Sequence, residues 1–186
     1  MTYQDFELTV SYNSWNVELN DRFSNLVNRL TCQSNSFFSN YISGKAILND
    51  NEFSIHNSNS GILLASRNSP VGRVTIVTQN PFHRCATIEM DNETFFFTRA
   101  TLQQRFEVTD KDNKVLLTID GQLVKEKQKN LFGLVYFADA LYHSVSVLHS
   151  VTEEEKIAYL LLVCGYCIRV FLAIDSGDYS GTTQQV

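Results

Sequence analysis

Cys164-Gly-Tyr-Cys167 is the one motif in this chain whose spacing could support catalysis. A C-x-x-C pair at a helix N-terminus has an acidic first thiol, because the thiolate sits on unpaired backbone amides. Here the pair lies about twelve residues into an apolar run, where the dipole helps little and desolvation raises a thiol pKa. No βαβ pattern precedes it, so the spacing predicts two core thiols, with Gly165 between them allowing a strand to approach closely. The same cysteines with His143 and His149 are the only candidate zinc set, and no second ligand pair shows zinc spacing. Asp110-Lys-Asp112-Asn113 has a calcium-loop start, but Lys114 stands at the fifth position and Val115 where glycine is required. It reads as a hairpin turn. Glu89, Asp91 and Glu93 alternate along a strand and turn and read as a solvated edge. Gly-x-Ser-x-Gly, Gly-rich phosphate-loop and His-Glu-x-x-His patterns do not occur. The residues therefore assign no catalytic group, no cofactor and no metal, and the expectation is a protein that is not an enzyme.

Bulk properties narrow the class. The chain has 186 residues, 44% hydrophobic and 19% charged, with a net charge of −5. That is enough chain for one large core. Residues 1–100 hold 7 Lys/Arg against 9 Asp/Glu, leaving 8 against 11 in the remainder. Without a basic block, and with a pI near 5.3, a nucleic-acid partner is not expected. The one basic cluster, Lys125, Lys127 and Lys129, is interrupted by Glu126; it is the candidate contact for anionic lipid. The N-terminus lacks the basic and apolar regions of a secretory leader. Four cysteines at irregular spacing do not make a disulfide framework. Both point to a cytoplasmic chain, with membrane association left open by its C-terminal segment, and to a monomer or homodimer.

The elements that must position these residues follow from periodicity. Phe6, Leu8 and Val10 alternate with polar residues, a half-buried strand. Trp15, Leu19, Phe23, Leu26, Val27 and Leu30 fall near a 3.6 period, which predicts a short N-terminal helix capped by Asn20. Residues 31–43, rich in Ser and Asn, read as loop or extended chain. From residue 45 short β-prone runs recur about every ten residues: 45–49, 52–56, 61–66, 72–78, 85–90, 94–98, 105–109 and 115–119. Turn residues separate them, the pattern of an antiparallel meander closing into a sandwich or barrel. Asp120-Gly121 predicts a hairpin that sends 122–127 back along 115–119, and 131–149 add two more strands or a short helix. Phe95-Phe96-Phe97 places rings on both faces of one strand.

Ile157 to Ile174 is apolar apart from Arg169 and follows Thr152-Glu153-Glu154-Glu155, a capping box with acids where the dipole favours them. A helix with no polar face must be enclosed on all sides, by protein or by lipid. Arg169 is its one unexplained charge, tolerable only if paired or able to snorkel toward a barrel mouth. Eighteen residues span about 27 Å, barely a bilayer core, and neither flank carries a Lys/Arg cluster.

A strand meander followed by one all-round apolar helix resembles the tubby C-terminal-like fold, which includes the phospholipid scramblases and LURP-one-related proteins. The segments that carry the resemblance are FEVTDKDNKVLLTIDG at 106–121 and the helix at 157–174. The resemblance implies a barrel closed around a central helix over residues 45–174, a lipid-associated or scaffold role, and phosphoinositide contact through surface Lys and Arg. The negative charge here departs from that last property. The expected organisation is thus one domain over 1–186: an N-terminal extension at 1–44, the mainly β barrel with its helix at 45–174, and a polar tail at 175–186. Its expected role is a binding or scaffold module, with a C-terminally anchored membrane protein and an apolar-cavity carrier as alternatives. Leu161→Asp separates enclosure in protein from anchoring. An enclosed helix loses its cooperative melting transition with this variant, whereas an anchor keeps a folded β-domain with wild-type melting.

Overall fold

In the computed structural model, described for residues 5–11, 16–21, 23, 26–36, 39–48, 51–58, 61–66, 69–80, 83–100, 105–129, 135–147 and 154–175, twelve strands precede one helix. The strands are β1 (Asp5–Ser11), β2 (Asn16–Asp21), β3 (Leu26–Ser36), β4 (Ser39–Leu48), β5 (Asn51–Ser58), β6 (Gly61–Ser66), β7 (Ser69–Asn80), β8 (His83–Met90), β9 (Glu93–Ala100), β10 (Arg105–Thr109), β11 (Val115–Lys129) and β12 (Val135–Val147). The helix is α1 (Glu154–Asp175). The protein is mainly β, an antiparallel meander plus a C-terminal helix, as the spacing predicts. Successive strands pair in order from β2 to β12, and β1 pairs with both β12 and β2, so the order returns on itself as a closed barrel.

Alternation along each strand decides which face points inward. Leu8 and Val10, Val17 and Leu19, Phe53 and Ile55, Val74 and Ile76, Ala86 and Ile88, Phe95 and Phe97 are buried. Between them stand cross-strand ion pairs on the outside: Glu18 with Arg29, Lys45 with Glu52, Arg73 with Glu89, and Arg105 with Asp120. Exposed pairs of this kind are worth at most about 1 kcal/mol each. The inward rows, at about 1.5–3 kcal/mol per buried large aliphatic or aromatic side chain, dominate.

Helix α1 fills the interior. Its residues from Ile157 to Phe171 are almost all buried, and Leu161, Leu162, Val163, Cys164, Tyr166 and Cys167 are fully so. It touches widely separated arcs of the wall. Tyr159 lies 4.8 Å, ring to ring, from Phe53 of β5, and Phe171 lies 5.8 Å from Phe97 of β9 and 6.4 Å from Phe106 of β10. Against β1 and β2 the approach is closest. A Cβ on Gly165 would overlap Val17 Cγ1 and stand 3.4 Å from Leu8 Cδ1. Gly165 is therefore the strand-approach residue that the sequence suggests. The window Lys156–Ile174 is long and apolar enough to cross a membrane, and 83% of it is buried inside the protein.

Several sequence expectations are corrected. Among the described residues of 15–30 there is no helix: β2 and β3 hold all of them but Phe23, with Val17 opposite Leu30 and Leu19 opposite Asn28. Two members of the supposed helical seam, Phe23 (69% exposed) and Leu26 (51%), lie outside the core, while the period-2 pair Val17 and Leu19 is fully buried. Residues 31–43 take the extended of the two forms expected, strand over 31–36 and 39–43, continuing β3 and opening β4. Residues 1–44 are thus no appended extension, because β1 to β4 are part of the wall. Asp120-Gly121 makes no hairpin. β11 runs through it, with Asp120 opposite both Arg105 and Ser144 and Gly121 opposite His143. Thirteen consecutive partners on β12, from Leu117 to Lys129, outweigh a two-residue turn preference. Of residues 131–149 the described ones, 135–147, form one continuous strand, β12, where two strands or a short helix were expected. Thr152 and the tail beyond Asp175 lie outside the described residues, so the capping box is not placed.

Gly165→Ala sets two effects against each other. Alanine favours a helix interior by about 1 kcal/mol over glycine, but a methyl driven into Val17 costs typically 1–3 kcal/mol. Urea denaturation should show net destabilisation, and adding Val17→Ala should relieve part of the clash, giving a favourable coupling in the double-mutant cycle.

Candidate functional site

Two hairpin turns and the first turn of α1 meet at one mouth of the barrel. The β8–β9 turn has Asp91 and Asn92 at φ 51° and 64°. Positive φ at both central residues is the twisted two-residue turn that Asp and Asn tolerate best after glycine. Gly72 supports it from β7, where the backbone packs so closely on Glu89 that any Cβ would overlap its carbonyl oxygen; the Asp91 amide donates to the Val71 carbonyl at 3.1 Å. The β10–β11 turn is Asp110 to Lys114. The Asp110 amide donates to Lys114 O and the Asn113 amide to Asp110 O, both at 3.1 Å, with Asn113 at φ 59°. Asp110 Oδ1 accepts from the amides of Asp112 and Lys114 at 2.9 Å each. The hairpin turn read from the sequence is what forms, and Asp110 is committed to shaping it.

Between these turns and α1 lies a cleft of about 450 Å³. Phe95, Leu116, Ile157 and Leu160 form its apolar floor, and Glu93, Asp110, Asp112, Lys111 and Lys156 its charged rim. Lys156 sits in the first helical turn, where the dipole disfavours a cation. Glu93 offsets this at 2.7 Å, and the ammonium stands 6.0 Å above the Phe95 ring, the outer limit of a cation–π contact. The cleft can hold an apolar group on its floor and present both signs of charge around it.

The sequence-derived candidates fall elsewhere. Cys164 and Cys167 are buried at mid-helix and free of disulfides. Burial pushes both thiols well up, and for Cys164 the neighbouring Cys167 adds to it, the reverse of a redox-active pair. Burial also raises the half-buried Cys85 thiol. His143 lies on β12 opposite Leu8, and His149 lies outside the described residues. Among the described residues no cluster of three or more His, Cys, Asp or Glu could hold a metal ion. Lys125, Lys127 and Lys129 lie on β11 opposite Asp139, Phe137 and Val135; their side chains lie outside the described residues. Arg169 is 5% exposed and interacts within the fold. Phe95 and Phe97 face the core, and Phe96, 38% exposed, lies on the outer face between Thr87 and Thr109.

Sequence reasoning missed Lys156 and Leu116 as site residues, since only the fold brings them beside Asp110. It also missed His56 Nε2 and Ser54 Oγ, 2.9 Å apart on the outer face of β5. An i, i+2 spacing on a strand was the available signal. Ser54 is buried among strand neighbours, so its hydroxyl is not presented to a substrate.

No family model, curated protein or solved structure matches this chain.

The helix thiols give a direct check. In a Cys32→Ser/Cys85→Ser background, Cys164 and Cys167 should react with a thiol reagent only as fast as the protein opens globally. Rapid labelling of the native protein would place the pair at an accessible site.

Proposed function

We propose that this chain is a non-enzymatic binding module on a tubby-like barrel, and that the mouth cleft takes a small zwitterionic amphiphile such as a phosphocholine headgroup with part of its acyl chain. The observation that carries this reading is the cleft's construction: an apolar floor from the helix and two strands, ringed by carboxylates and lysines on rigid turns. Its size lies within the roughly 300–1,000 Å³ of small-ligand sites. The acyl portion rests on Phe95, Leu116 and Leu160. The cationic end faces Asp112, and the anionic end faces Lys111 and Lys156.

Two features support the tubby-like reading: twelve antiparallel strands in one meander, and a final helix without a polar face inside them. The burial of α1 supports enclosure in protein over a C-terminal membrane anchor. A lipid-binding role also fits a cytoplasmic, membrane-associated placement. Contact through Lys125, Lys127 and Lys129 would be a separate, anionic-lipid mode, which the cleft does not require.

Titration calorimetry with dihexanoylphosphatidylcholine below its micelle concentration tests the proposal. Binding should appear, and at about a hundred times Kd the ligand should add about 2.7 kcal/mol of stability. Leu116→Trp, which fills the cleft from a partly buried wall, should abolish binding while the fold persists. Absence of heat and of any melting shift, or unaltered binding by Leu116→Trp, would sink the cleft as the site.

A further inference from the structure

We propose that the outer face around the β3–β4 seam docks a second copy of this chain. The β3–β4 partners run from Ser36–Ser39 to Thr31–Lys45. Continued in the register of the pairs from Ser34–Ile42 to Thr31–Lys45, the ladder would set Arg29 opposite Ile47. Instead the Asn28 carboxamide stands there. Its Nδ2 donates to Ile47 O, and its Oδ1 accepts from the Arg29 amide, each at 2.8 Å. Asn28 is itself 8% exposed. A side-chain amide thus bridges the two strands beyond their last backbone pair. A groove of about 510 Å³ opens at this point, lined by Leu26, Asn28, Arg29, Lys45, Ile47 and Glu52 among others.

Apolar exposure concentrates at the same place. Among the described residues five large hydrophobics are strongly exposed, and two of them, Leu26 at 51% and Ile47 at 70%, line this groove. Clustered exposure, unlike scattered exposure, marks an interaction surface. The flanking charges identify the occupant. Arg29 pairs with Glu18 at 2.8 Å and Lys45 with Glu52 at 2.9 Å, all four side chains about a third to two-thirds exposed. Two cations and two anions around an apolar centre are neutral in sum, so the face offers no net attraction to an anionic membrane or nucleic acid. A two-fold contact needs a patch that complements itself. Here Lys45 of one copy can meet Glu52 of the other, and reciprocally, while Leu26 and Ile47 pack in the middle.

Size sets the strength. Four strands at about 4.8 Å spacing and five residues at about 3.3 Å give a few hundred Å², against roughly 800 Å² per partner in a standard stable interface. The dimer is therefore weak and concentration-dependent.

Sedimentation equilibrium from about 1 µM to a few hundred µM, the range that brackets a weak dimer, provides the test. The wild-type mass should rise from 21.2 kDa toward twice that value. Ile47→Asp should hold it at 21.2 kDa with unchanged melting, because the side chain it replaces is mostly in solvent. Lys45→Glu alone and Glu52→Lys alone should each associate at least about tenfold more weakly than wild type. Mixing those two variants should restore association, since each then meets the opposite charge. A wild-type chain that stays at monomer mass, association that survives Ile47→Asp, or a mixture no stronger than its components would overturn the proposal.

Discussion

The fold depends on enclosing a helix that has no polar face. From Ile157 to Phe171 nearly every side chain of α1 is buried, and in water such a surface would cost tens of kcal/mol at about 25 cal/mol per Å². The enclosure must also have the right bore. An eight-stranded barrel is filled by its own side chains, whereas a helix with side chains is about 10–12 Å across. Twelve strands make an interior wide enough for one helix and the inward rows of the wall. Strand count and helix composition are thus two expressions of one constraint, and neither element is stable without the other.

Fit within that bore is uneven. On the β1–β2 side the helix comes close enough that only glycine serves at 165. On the opposite side the gap is filled by large rings: Phe97 stacks on Phe106 at 5.2 Å, and Phe171 reaches both. The helix is therefore seated off-centre, Gly165 toward Val17 and the Phe171 ring toward β9 and β10. The Lys156–Glu93 pair then ties its first turn to the wall.

The thiols of Cys164 and Cys167, attractive as a motif, are used as small apolar groups in the core, and burial keeps them protonated. Among the described residues the features suited to recognition lie on the barrel's rim and outer face. The rim combines rigid turns with the exposed end of the helix, and at β3–β4 the Asn28 side chain bridges the two strands beyond their last backbone pair.

Local chemistry settled much of this protein in advance. The apolar run at 157–174, the strand rhythm from residue 45 to 119, the turns at Asp91-Asn92 and Asp110–Asn113, and the role of Gly165 were all readable, because each rests on periodicity or turn preference within a few residues. The sequence signals that misled were equally local. The helical seam at 15–30 and the Asp120-Gly121 turn satisfy short-range rules, yet pairing with β1, β3 and β12 supplies more hydrogen bonds and burial than either local structure could. Only the tertiary structure decided that residues 5–36 join the wall, that Arg169 is buried, and that Lys156, Leu116 and Asp110 share a cleft. Those outcomes depend on contacts between residues far apart in the chain, whose free energy no short window of sequence contains.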